Sequence, residues 1–379
     1  MKYRVLGRTG VEISEIGMGL EHLISHEQSI INATLKTAID GGVNYLDCHP
    51  GHDYKEDEID YAGYEKLGKA ICGVRDKLCI SYIAVCSARK ICDAQPRFES
   101  YLKALNTDHT DVFMIQFCDK MTEYDEITGE AGLLEYAKKL SAEGKIRYTG
   151  ISTHSSAVAR KAIYSGDFDV IMYPVNPAFD VVIDEEQYKT DDLGTLWDAA
   201  NDYNSDSAKS SKLVRKDIYT ECLNNNIGLI AMKPFGGGFI FGIEGNAGFT
   251  PLNLISYVLT QSGVSTVVPG CQNPQQIKEI LTYYTCRKDA LDFSKAVLNS
   301  RWSIKGNCQY CNHCLPCPSG INIGNINRII DNKTASEYNS LAIKASACVK
   351  CGVCDERCPF DVAVTERMDL AVKMFEIFE

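Results

Sequence analysis

The chain has 379 residues, 45% hydrophobic and 23% charged, an ordinary globular composition long enough for one large barrel and a small appended module. Its net charge of −11 argues against a nucleic-acid partner, because phosphate binding needs a surplus of Lys and Arg. The opening MKYRVLGRTG has no apolar run, and no stretch reaches the roughly 18 apolar residues of a spanning helix. No membrane partner is therefore expected, and a cytoplasmic location is.

Taken in chain order, short apolar runs alternate with amphipathic stretches. The candidate strands are 13–17, 44–47, 78–86, 112–117, 146–152, 170–173, 228–233 and 266–269. Between them lie candidate helices at 31–40, 64–71, 97–105, 132–142, 157–164, 216–225 and 252–261, with 275–284 as an eighth. Eight strands each followed by a helix predict an α/β fold, a closed (β/α)8 TIM barrel. A doubly wound sheet would carry a GxGxxG turn after its first strand, and none is present. Residues 178–211 form a long polar connection with the length of a lid or a partner surface. The expected division is a barrel over 1–286, a linker over 287–307 and a cysteine-rich domain over 308–379.

Seventeen cysteines in a long chain without a signal segment point to metal rather than disulfides, and eight bunch into two runs. The first run places Cys308, Cys311, Cys314 and Cys317 before a proline. The second places Cys348, Cys351, Cys354 and Cys358 before another. Two-residue gaps let three thiolates wrap one face of a 4Fe–4S cubane, and the fourth ligand of each cluster comes from the opposite run. The expected sets are Cys308, Cys311, Cys314 and Cys358 for one cluster, and Cys348, Cys351, Cys354 and Cys317 for the other. That is a two-cluster, ferredoxin-like module, although the first run has two residues instead of three before its last cysteine. Paired CxxC motifs also hold zinc, which would gain nothing from CxxCxxCxxxCP.

Several phrases then add up: KYRVLGRTG at 2–10, EIGMGL at 15–20, NYLD at 44–47, KIRYTGIS at 145–152, AMKPFGGG at 231–238 and VVPG at 267–270. In this order they resemble an aldo-keto reductase, and the cysteine runs resemble the subgroup with a C-terminal ferredoxin-like 4Fe–4S domain. The resemblance implies an NADPH-dependent carbonyl reductase using an Asp, a Tyr acid, a Lys and a His at the barrel mouth. Asp47 matches the Asp. Ile83 stands where the Lys is expected, Gln116 where the His is, and His52 where the Tyr is, with Tyr54 and Tyr61 nearby. A phenol without a cationic neighbour keeps its pKa near 10 and is a poorly tuned acid. The nucleotide positions implied by the family are better kept: Ser152, Thr153 and Asn176 for the nicotinamide, and Lys233, Gly236, Gly237 and Gly270 for the phosphates.

Cys48, Cys86 and Cys118 end neighbouring strands, with His49, His52 and His154 close by in sequence order. They are either a third metal site, a reactive thiol, or small core hydrophobes. Nicotinamide moves a hydride whereas a cluster takes one electron, so linking them needs a converter such as a flavin, for which no motif shows. The leading expectation is an iron–sulfur oxidoreductase whose clusters serve a small-molecule substrate or cofactor at the mouth. Asp47, His52 and His154 would be its proton donors and Gln116 a hydrogen-bonding group, with a ferredoxin or other electron-transfer protein as partner. The alternatives are a non-catalytic electron-transfer subunit with a decayed barrel, and an ordinary NADPH-dependent reductase whose clusters are structural.

Overall fold

The structure, a computed structural model, describes residues 1–49, 61–85, 87–181, 214–242, 248–300, 302 and 306–377. His52, Tyr54 and Cys86, and all but the first four residues of the 178–211 connection, lie outside the described residues.

Eight parallel strands form one sheet in chain order: β3 (Met18–Gly19), β4 (Tyr45–Cys48), β5 (Cys79–Ala84), β6 (Thr110–Ile115), β7 (Ile146–Ser152), β8 (Val170–Pro174), β9 (Gly228–Met232) and β10 (Val264–Val267). The sheet's two edges meet. Gly17 N–H donates to the Val267 carbonyl at 2.9 Å, Val267 N–H to Glu15 at 2.9 Å, and Gly19 N–H to Pro269 at 3.0 Å. This is the expected TIM-like barrel. Most strands are buried from end to end, as strands covered on both faces must be.

Strand alternation sorts the residues into two cores. Tyr45, Cys79, Ile83, Val112, Met114, Val170, Met172, Ile230 and Met232 fill the barrel, while Leu46, Ile80, Tyr82 and Phe113 face the helices. One boundary differs from expectation. Residues 13–17 do not form the first barrel strand, which begins at Met18. Instead β2 (Glu12–Ser14) pairs antiparallel with β1 (Tyr3–Val5). Ile13 is apolar because that hairpin inserts Leu6 and Ile13 into the barrel's inner core. Gly7 at the hairpin's turn has φ +50°, and a β-carbon there would lie 2.2 Å from the Gly228 nitrogen at the start of β9. Only glycine fits so close an approach. The hairpin thus stoppers the N-terminal end.

Seven of the eight helix expectations fall on helices, and the eighth stops at Leu281 rather than 284. The helix Met121–Thr128 was not anticipated, its sequence MTEYDEIT being short and acidic. Residues 287–307, expected as a linker, are packed where described. Phe293, Ala296, Val297 and Trp302 are buried, and the Trp302 ring sits 5.7 Å from Phe239 and 6.0 Å from Phe249. Beyond it, the described residues 306–377 contain helices and loops but no strand. Ile323, Ile326, Ile329 and Ile330 line one stripe of the helix Ile323–Asn332, which packs on Val364–Phe375.

Candidate active site and thiol cavities

Asp47 ends β4 facing inward and accepts a hydrogen bond from Ser81 Oγ of β5 at 2.7 Å, in register across the two strands. Burial carries its carboxyl up to about 7; the Ser81 bond and Lys233 oppose the rise, and Glu21 adds to it. Lys233 follows β9 with φ +52°. Burial lowers its pKa, while Glu21, Asp119 and Asp47 pull the other way. Lys233, expected among the phosphate-binding positions, thus feels the charge of three carboxylates at the mouth. Ile83, where the family's lysine would stand, is 2% exposed within the barrel core.

Gln116 follows β6 and is buried. Its Nε2 lies 2.6 Å from His49 Nε2, which reads as the amide donating to the imidazole lone pair. Gln116 Oε1 has no partner. His49 Nδ1 then faces Glu21 at 3.9 Å. His154 follows β7 and is 1% exposed. Its Nδ1 lies 3.0 Å from Asp119 Oδ2, and its backbone N–H donates to Asp119 Oδ1 at 2.6 Å. Burial opposes ionisation of Asp119, but the His154 and Thr153 hydrogen bonds hold its pKa below the usual carboxylate range. Burial lowers the His154 pKa despite Asp119, so the ring is neutral at pH 7. A neutral ring donating through Nδ1 presents a lone pair at Nε2, which has no partner. His154 is therefore an acceptor, whereas the sequence suggested a proton donor. Asp119, which fixes its tautomer, was missed by sequence reasoning although it follows β6 just as Asp47 ends β4.

Tyr61 is not brought to Asp47. Its ring packs on Tyr64 within the helix Tyr61–Ile71, and its hydroxyl faces Ser100 and Arg97 of Ile91–Leu105. Cys48 and Cys118 do not converge either. Cys48 lies among Tyr101, Asp47 and Arg75, and Cys118 beside Arg89 and Glu123. Burial raises both thiols, Cys118 to about 12, so neither is a reactive thiolate at neutral pH. Both fit the reading of core hydrophobes.

The nucleotide positions are partly occupied by the protein itself. The Asn176 amide donates to the Lys233 carbonyl at 3.0 Å, and its oxygen accepts from Ala178 and Phe179 N–H. Thr153 Oγ1 donates to Asp119 and accepts from Ser155 N–H. Ser152 Oγ lies 4.0 Å from Met232 Sδ. At the helix Pro274–Leu281, Asn273 Oδ1 caps the Gln275 and Gln276 N–H groups. Gly236 and Gly237 have φ of +57° and +67° after β9, where a β-carbon on Gly236 would lie 2.6 Å from the Phe239 ring. Gly270 pairs with Gly19 at the barrel's closing edge.

The two cysteine runs line two cavities in residues 306–377. Cys308, Cys311, Cys314 and Cys358 line one, with Asn327 and Phe360. Cys317, Cys348, Cys351 and Cys354 line the other, with Cys314 on the shared wall. Left-handed turns at Tyr310, Asn312 and Lys350 bend the runs, and the Tyr310 N–H donates to Cys308 Sγ at 3.4 Å. Among the described residues, no three His, Cys, Asp or Glu side chains are drawn tightly enough to hold a single metal ion. No described helix is long and apolar enough to cross a membrane.

The fold has known relatives. It is similar to a putative aldo-keto reductase from Pseudomonas aeruginosa (TM-score 0.54, 18% identity, 76% of this chain and 95% of that one). It is equally similar to an aldo-keto reductase from Klebsiella pneumoniae solved in complex with NADPH (TM-score 0.54, 16% identity, 76% and 91%). In sequence it resembles aldo-keto reductase YhdN of Bacillus subtilis, 26% identical over 174 residues, or 41% of this chain and 48% of the relative. A probable aldo-keto reductase 1 of Glycine max is 24% identical over 264 residues, 65% of this chain and 63% of the relative. The chain thus spans between about half and two thirds of these curated relatives. Residues 15–248, more than half the chain, match the model of the Aldo/keto reductase family, and the chain belongs to that family.

Proposed function

We propose that the protein is an oxidoreductase in which Cys308, Cys311, Cys314 and Cys358 hold one 4Fe–4S cluster and Cys317, Cys348, Cys351 and Cys354 a second. The supporting observation is the exchange of last thiols. Cys358 of the second run lines the first run's cavity, and Cys317 of the first run lines the second's. That is the ligand logic of a two-cluster ferredoxin, and the shortened spacing before Cys317 does not prevent it. Bound clusters would supply single electrons to a small-molecule substrate or cofactor, with a ferredoxin or similar protein as their source.

The barrel's own residues would manage protons and charge. Asp47, with a pKa of about 7, is the side chain poised to release a proton at neutral pH. Lys233, set among the mouth carboxylates, would stabilise negative charge developing on a substrate oxygen. His154 Nε2 and Gln116 Oε1 offer acceptors that would orient a donor group.

Anaerobic purification followed by iron and acid-labile sulfide analysis tests the cluster reading. Two cubanes' worth of both is expected, and zinc without sulfide would overturn it. The C358S variant should lose one low-temperature EPR signal and C317S the other. Titration with NADPH addresses the second reading, which the NADPH-bound Klebsiella relative favours. Cluster bleaching by NADPH would establish the nucleotide site and require a converter such as flavin. Bleaching only by dithionite would leave the ferredoxin-fed enzyme.

A further inference from the structure

A buried carboxylate and a partly buried lysine connect the barrel to the first thiol cavity. Asp180 is fully buried just after β8 and accepts hydrogen bonds from Tyr219 and from Tyr257, the latter at 2.6 Å. Lys216, on the helix Val214–Asn224, opposes the rise that burial gives the Asp180 pKa, and its ammonium lies 5.3 Å from the Tyr257 ring centre. Lys216 does not end its reach within the barrel. Its Nζ donates to Gln309 Oε1 at 2.7 Å, and Gln309, 1% exposed, directly follows Cys308. Lys216 and Cys308 also line a common polar cavity of about 200 Å³. The same helix holds the module through Thr220, which donates to Asn332 at 3.0 Å.

Burying the Asp180 carboxylate is expensive, and a packed apolar residue there would often be as stable. The question is why Asp180 and Lys216 stand here. Arg367, the other cation near Cys308, is already neutralised at 2.5 Å by Asp331 within the module. Lys216 feels Asp180 on the barrel side and Asp331, already paired with Arg367, on the module side, while its Nζ is held on the Cys308–Gln309 turn by Gln309.

We propose that Lys216 is a positioning residue that fixes the Cys308–Gln309 turn and biases the reduction potential of the group held by Cys308, Cys311, Cys314 and Cys358. This rests on the two-cluster reading above. Reduction adds one negative charge to a cluster, and a fixed ammonium nearby stabilises the reduced form. The field falls with distance, so the group held by Cys317, Cys348, Cys351 and Cys354 should feel it less.

The test is a dithionite-poised redox titration of the full chain, followed by EPR, with iron and sulfide counted first. In K216M one of the two reduction steps should move to more negative potential while the other holds. K216R, which keeps the charge, should stay near the parent value. Because K216M leaves Asp180 buried without Lys216, K216M/D180N removes both charges, and the same step should move in the same direction by a smaller amount. A single Asp180→Asn substitution, which uncovers the ammonium, should move that step the opposite way. Two unchanged steps in K216M/D180N, with full iron and sulfide, would overturn the inference and leave the cluster reading standing. Absence of iron and sulfide in the parent chain would overturn both.

Discussion

At Asp47, chemistry and stability pull in opposite directions. A rise from its ordinary 3.8 to about 7 corresponds to on the order of 4 kcal/mol of strain on the ionised form. A carboxyl whose folded pKa is raised contributes stability fully present below the unfolded pKa and lost as pH rises through the folded one. The D47N variant, which cannot ionise, should therefore melt above the parent at pH 8.5, with the gap closing toward pH 4. A melting difference that stays flat across this range would contradict the burial of that charge. The same variant should lose turnover by about 100-fold or more, the usual contribution of a positioned proton donor. Asp47 was legible in the sequence because it closes a strand phrase. The tautomer of His154 was not, because Asp119 meets it only when β6 and β7 lie side by side. Lys233 was legible from the phrase Lys233 to Gly238, but its coupling to Glu21, Asp119 and Asp47, which are distant in sequence, was not.

Among the elements, the helices Tyr61–Ile71 and Ile91–Leu105 approach closely at one point. A β-carbon on Gly68 would stand 2.5 Å from the Leu105 carbonyl oxygen, which is backbone and cannot turn aside. G68A should therefore lower the melting temperature even though alanine is the better helix former, the overpacking costing about 1–3 kcal/mol. An unchanged or raised melting point would mean that the helices separate freely. This pairing also explains why Tyr61 misled the sequence reading. Its place in the helix turns its hydroxyl to Ser100, whereas closeness to Asp47 in sequence suggested closeness in space. Strand positions were readable because burial on both faces leaves long apolar runs. The hairpin was not, since Ile13 reads the same whether it belongs to a barrel strand or to a plug.

For the molecule as a whole, the spacing of the cysteines pointed to the two thiol cavities, but the joining of the parts was not legible. Residues 287–307 carry no periodic signal, yet Phe293 and Trp302 bury against the barrel. Lys216 and Gln309 are 93 positions apart and polar, and nothing in the sequence pairs them. The hairpin has one more consequence. With Leu6 and Ile13 seated in the inner core, the barrel is blind at its N-terminal end. Whatever the mouth admits must leave by the same opening, so product and substrate contend for one passage. Steady-state kinetics should accordingly show product inhibition competitive with the substrate bound at that mouth.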